Sequence, residues 1–128
     1  MFVRFVISNR DDSSGRRQGL FQAAYKLRAS GQMSATDEQQ LDQILHWFDE
    51  NLAEPERLAL SSEPRRKAQA ISWFRDGAKE HIGRMREFRT LLDSYGIIVD
   101  MLRERRPGYV VYEDEHQVVA YPFSETHC

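Results

Sequence analysis

Apolar residues change their spacing twice along this chain. They alternate at period two at the start, recur every three or four positions through the middle, and return to period two near the end. Phe2 to Ile7 predicts a strand, with Val3, Phe5 and Ile7 on one face. Turn and cap residues follow from Asn9 to Gly15. Ser13 or Ser14 then caps a helix to about Ser30, with Leu20, Ala24 and Leu27 as its buried stripe and Gly31 as its stop. A second helix begins near Ser34 or Thr36, whose side chains accept from free N–H groups of the first turn, where Asp37 and Glu38 suit the positive end of the dipole. Its stripe is Leu41, Ile44, Leu45, Phe48 and Leu52, and Pro55 closes it. Ala53 to Glu63 reads as a loop pinned by Leu58 and Leu60. Pro64 suits the first turn of a third, longest helix. Ile71, Phe74, Ala78, Ile82, Met85, Phe88, Leu92 and Tyr95 predict that it runs unbroken to Gly96, a left-handed C-cap. Gly77 beside that stripe costs roughly 1 kcal/mol against alanine, which predicts close approach of another backbone.

After Gly96 the alternation returns. Ile97 to Leu102 predicts a strand, since a C-cap glycine and the β-branched run Ile97-Ile98-Val99 oppose continuation of the helix to Arg106. Arg106-Pro107-Gly108-Tyr109 suits a type II turn. Tyr109 to Glu113 and Gln117 to Tyr121 complete a meander whose second turn is looser, and Pro122 ends the pairing. The expected fold is a single α+β domain over residues 1–128, in the order β-α-α-α-β-β-β, with a small, mostly antiparallel sheet packed against three helices.

Both faces of that meander are apolar. Tyr109 and Val111 oppose Val110 and Tyr112, and Val119 and Tyr121 oppose Val118 and Ala120. Three helices cover one face. The other is expected to meet another chain, foremost a second copy, unless a helix wraps round to it. The interface residues on this reading are Trp47, Trp73, Tyr109, Tyr112 and Tyr121, although a tryptophan flanking a stripe also suits a core edge.

Composition narrows the classes. Hydrophobic content of 41% with 30% charged residues argues for a folded chain, and a net charge of −2 gives no global pull toward polyanions. The lone Cys128 forms no internal disulfide, the apolar start ends too early for a signal peptide, and no run approaches the ~20 apolar residues of a membrane span. These features place the chain in the cytoplasm, without a membrane role.

Chemistry concentrates at Glu113-Asp114-Glu115-His116. A metal-dependent phosphoester hydrolase is one reading: Glu113, Glu115 and Asp100 hold a divalent ion, with help from Asp11-Asp12 possible in principle, His116 assists proton transfer, and Arg103 or Arg106 binds phosphate. The plainer reading is a solvated hairpin tip, and the spacing matches no defined metal motif. His81 falls on the buried side of its helix, as a core histidine does; His46 faces solvent and His127 lies in the tail. There is no nucleophile elbow, phosphate loop or dinucleotide fingerprint, and no cofactor is implied. The second helix carries acids and no Lys or Arg from Asp37 to Glu50. The third carries Arg75, Lys79 and Arg86 as one stripe, which with Arg103, Arg105 and Arg106 would track a phosphate backbone. The leading expectation is a non-catalytic, self-associating protein-interaction or regulatory module. The hydrolase and a nucleic-acid-associated regulator are the alternatives.

Overall fold

The computed structural model describes residues 1–10, 15–53 and 70–128. Asp11, Asp12, Ser13, Ser14, Pro55, Leu58, Leu60 and Pro64, which carry expected ligand, cap and loop roles, lie outside these. Among the described residues the order is β1 (Phe2–Arg10), β2 (Arg17–Gly19), α1 (Leu20–Ala29), α2 (Ala35–Asn51), β3 (Ile71–Arg75), α3 (Lys79–Asp93), β4 (Asp100–Glu104), β5 (Tyr109–Glu113) and β6 (Gln117–Tyr121). Every strand pairing among the described residues is antiparallel, so the α+β expectation holds, with six strands described in place of four.

β1 organises the sheet. One edge pairs with β4, from Phe2↔Glu104 to Val6↔Asp100. The other is shared, with β3 beside Phe2 and Val3 and β2 beside Val6 to Arg10. β6 lies outside β3, and β5 outside β6. Val3, Phe5 and Ile7 face the helices and join a core of Leu20, Ala24, Leu41, Phe48, Met85, Phe88 and Leu92. Alternation within a half-buried strand dictates this, and the helical stripes meet it at three- and four-residue spacing.

Two expected helices are shorter than the spacing suggested. The first starts at Leu20, because Arg16, Arg17 and Gln18 bring no apolar stripe. Arg17 instead donates through Nε to the Ile7 carbonyl at 2.9 Å, in strand β2. The third starts at Lys79, because Ile71 to Arg75 is a strand. Ile71 and Phe74 satisfy helical spacing by sequence, but Ile, Trp and Phe suit a pleated surface, and this segment finds ladders on both edges, with β1 and β6. Gly77 sits in the following turn, where an added Cβ meets nothing within 4 Å; the expected close approach does not occur.

The capping expectations hold at the start of α2 and the end of α3, whereas α1, which begins at Leu20, has Gly19 as its N-cap and no side-chain cap in place of Ser13 or Ser14. Ser34 Oγ accepts from the Asp37 N–H at 3.1 Å. The Tyr95 hydroxyl accepts from the Ser34 N–H and donates to Asp37, tying the start of α2 to the end of α3. Gly96, at φ +77°, ends α3 in a Schellman arrangement, with Ile97 N–H on the Leu92 carbonyl and Gly96 N–H on that of Asp93.

The three-stranded meander is the main correction. β4 pairs with β1, not with β5. β4 and β5 both run opposite to β1, so they point the same way, and a tight turn cannot join parallel strands. The expected type II turn is therefore part of a crossover, with Pro107 buried and Gly108 at φ +139°.

The crossover also decides what covers the second face of the sheet. Ile71, Trp73 and Val118 cluster there with Phe2, Leu102 and the tail residue Cys128. Thr126 accepts from the Phe123 N–H and donates to the Arg106 carbonyl, while Arg106 lies 5.1 Å over the Phe123 ring. The chain's own tail and crossover thus shelter a face expected to be bare. Trp73 is 1% exposed, so it anchors this inner layer and not an outer surface.

Candidate functional site

The hairpin tip is ordered by one carboxylate. Asp114 Oδ1 accepts from the N–H groups of His116 (2.8 Å) and Gln117 (3.0 Å), and Tyr112 donates its hydroxyl to Oδ2 at 2.9 Å. Burial alone would raise the Asp114 pKa, but the donors from His116, Gln117 and Tyr112 outweigh it and hold the carboxyl below its ordinary value. The same bond, with some desolvation and the Asp114 charge, raises the Tyr112 phenol.

The proposed metal ligands do not converge. Glu113 pairs with Arg75 at 2.9 Å, and Glu115 lies 3.0 Å from His116 Nε2. Asp100 lies across β1 from the hairpin, paired with Arg17. Among the described residues no three His, Cys, Asp or Glu side chains gather as a metal site would need. That corrects the grouping of Glu113, Glu115, His116 and Asp100 into one centre.

His81 is 4% exposed, with Nε2 2.7 Å from the Asn51 carbonyl oxygen. A carbonyl only accepts, so Nε2 carries the proton. The imidazole stacks on His116 with ring centroids 4.2 Å apart and meets Trp47 edge-on at 4.8 Å. Sequence reasoning placed His81 in the core correctly but missed the stacking, since nothing local signals a contact between a helix and a hairpin tip 35 residues later. His46 stays on the surface, 3.0 Å from Glu50.

The basic residues divide into two groups. Arg75 is engaged by Glu113 and lies over the Phe2 ring, and Arg106 over Phe123. Lys79, Arg86 and Arg103 instead converge. Lys79 and Arg86 lie seven residues apart on one face of α3, and Arg103 projects from the helix-facing side of edge strand β4. They line a groove of about 330 Å³ floored by Val3, Ile82 and Met101. Among the described residues Asp76 is the one acid lining it, 3.9 Å from the Met1 amino nitrogen. None of the three cations has a hydrogen-bond or ion-pair partner among the described residues. The pattern was legible as a stripe for Lys79 and Arg86. That Arg103 joins them depends on β4 leaving the meander for β1.

Of the suggested interface aromatics, only Tyr109 is well exposed, at 53%, with neighbouring Val110 at 39%. Trp47 is half-buried, with Arg84 5.3 Å over its ring. Tyr112 is tied to Asp114, and Tyr121 is half-buried with its hydroxyl enclosed. No helix among the described residues is long and apolar enough to cross a membrane. Comparison with protein-family models, curated proteins and solved structures finds no match to this chain.

Proposed function

We propose that this chain is a cytoplasmic, non-catalytic binding module that takes the phosphate backbone of a nucleic acid in the groove between α3 and β4. The observation that carries the reading is the convergence of Lys79, Arg86 and Arg103 without intramolecular partners. Folded proteins tend to pair or disperse like charges. Three held together around one concavity repel each other until an anion arrives. Arginine's fork suits phosphate oxygens, and the apolar floor lowers the local dielectric beneath the charges.

The test is binding of labelled RNA and DNA oligonucleotides at low and moderate salt. Three phosphate contacts predict a log–log salt slope of about −2 on single strands and about −3 on duplex. Arg86→Gln and Arg103→Gln each flatten the slope by about one contact, whereas Arg75→Gln, whose cation is already paired, leaves it unchanged. No binding at low salt, or equal effects of all three variants, overturns the reading.

Self-association remains a second reading, now through a different surface. Among the described residues β5 is an outermost strand that pairs on one edge only, and Tyr109 and Val110 are exposed on it. A concentration-dependent dimer abolished by Val110→Lys supports it; a monomer at all concentrations removes it.

A further inference from the structure

The α3–β4 groove holds more positive charge than a phosphate inside a strand can match. Asp76 offsets at most one of Lys79, Arg86 and Arg103, and its carboxylate already lies 3.9 Å from the Met1 amino nitrogen. The other acids on α3 and β4 turn elsewhere. Glu80 and Glu87 share the next row of α3 with Arg84, which pairs with Glu87 at 3.4 Å, and Asp93 stands about two turns beyond Arg86. Asp100 and Glu104 fall on the opposite face of β4 from Arg103. Among the described residues, at least two positive charges are therefore left facing one concavity. A phosphodiester within a strand brings one negative charge and two free oxygens. A phosphomonoester brings about −1.5 to −2 charges at neutral pH and three such oxygens.

Gly83 is the second observation. It stands four residues after Lys79 and three before Arg86, so it neighbours both on the surface of α3. A glycine in the middle of a helix weakens it relative to alanine. Nothing among the described residues requires one here: its φ is not positive, and an added Cβ meets nothing within 4 Å. The glycine leaves bare backbone beside two cations, open to a ligand that must come close.

We propose that the groove seats the terminal phosphomonoester of a nucleic-acid strand, with the adjoining sugar crossing α3 over Gly83. The inference rests on the reading of the groove as a phosphate site and narrows that reading to a strand end. Arg86 and Arg103 donate to the phosphate oxygens through their guanidinium forks, and Lys79 supplies a third, compact charge. The space, about 330 Å³ or about eleven waters of liquid volume, suits one phosphate with its sugar.

The experiment is fluorescence anisotropy of the full chain with single-stranded DNA and RNA of one sequence, labelled internally and ending in a 5′-phosphate, a 3′-phosphate or hydroxyls alone. A phosphate-ended strand is expected to bind roughly tenfold or more tightly than the hydroxyl-ended one, and the two phosphate arms show which end is taken. Arg103→Gln is expected to erase that advantage. Gly83→Leu is expected to erase it too while the thermal midpoint holds or rises, an outcome that a purely structural glycine would not give. Because the preference itself is read on the unaltered chain, a poorly folding variant does not shield the proposal. Equal affinity for all three ends overturns this inference and leaves the backbone reading standing. Binding by none of them at low salt overturns both, and a Gly83→Leu chain that keeps the preference overturns the approach over the helix.

Discussion

Gly108→Ala tests the claim that the chain covers the second face of its own sheet. Gly108 lies where the crossover meets the last residue of β6 and the first of the tail, at φ +139°, a region that side-chain-bearing residues almost never occupy. A Cβ there would sit 1.9 Å from the Tyr121 carbonyl oxygen and 2.9 Å from the Pro122 Cα. An ordinary carbon–oxygen contact is about 3.3 Å, so one backbone must retreat by about 1.4 Å. The conformation costs about 1–3 kcal/mol and the overlap a similar amount, giving about 3–5 kcal/mol in all. Urea unfolding followed by tryptophan fluorescence reads this, and acrylamide quenching of the folded variant should rise as Trp73 loses its cover. Gly96→Ala is the control. Gly96 also has a positive φ, but open space surrounds its added Cβ, so the expected loss is only about 1–2 kcal/mol. If Gly108→Ala unfolds within about 1 kcal/mol of the parent, the crossover does not pack against the end of β6 and Pro122, and unchanged quenching of Trp73 would count against the sheltered face.

Three further outcomes follow from the same contacts. Tyr95→Phe removes the hydroxyl joining Ser34 and Asp37, and should cost about 1 kcal/mol in thermal or chemical unfolding, with α2's first turn losing amide-exchange protection. Asp114 has a lowered folded pKa. Its contribution is therefore complete above the unfolded value of about 3.9 and drains away as pH falls through the folded one. Asp114→Asn should accordingly flatten the acid side of the stability profile, an effect that a denaturation series between pH 2 and 6 detects. His81→Phe keeps the ring contacts but leaves the Asn51 carbonyl without its donor; the expected loss is about 1–3 kcal/mol, and a loss near zero would mean that water replaces the imidazole.

The candidate surfaces change with the tertiary pairing. Sequence spacing assigned Arg75 to a basic stripe and Trp73 to an interface because both were placed on one long helix. As members of β3, two residues apart, they share the face turned away from the helices, Arg75 at its rim against Glu113 and Phe2 and Trp73 inside the inner layer. Arg103 was grouped with Arg106 as a hairpin cluster. In the fold Arg103 faces α3, while Arg106 is taken up by the tail.

Local chemistry was sufficient for the features whose causes are local. Ser34 caps α2 and Gly96 ends α3, because cap geometry and left-handed backbone involve only neighbours. The stripe Leu41, Ile44 and Phe48 and the alternation Val3, Phe5 and Ile7 likewise reach the core as their periods require. Tertiary structure decided the remainder. Whether Ile71 to Arg75 coils or extends depends on ladders offered by β1 and β6, which lie far away in sequence. Which strand takes β4, which segment roofs Trp73, and where Lys79, Arg86 and Arg103 meet are long-range choices too. Each trades the entropy of closing a large loop against hydrogen bonds and apolar area that no short window of residues contains.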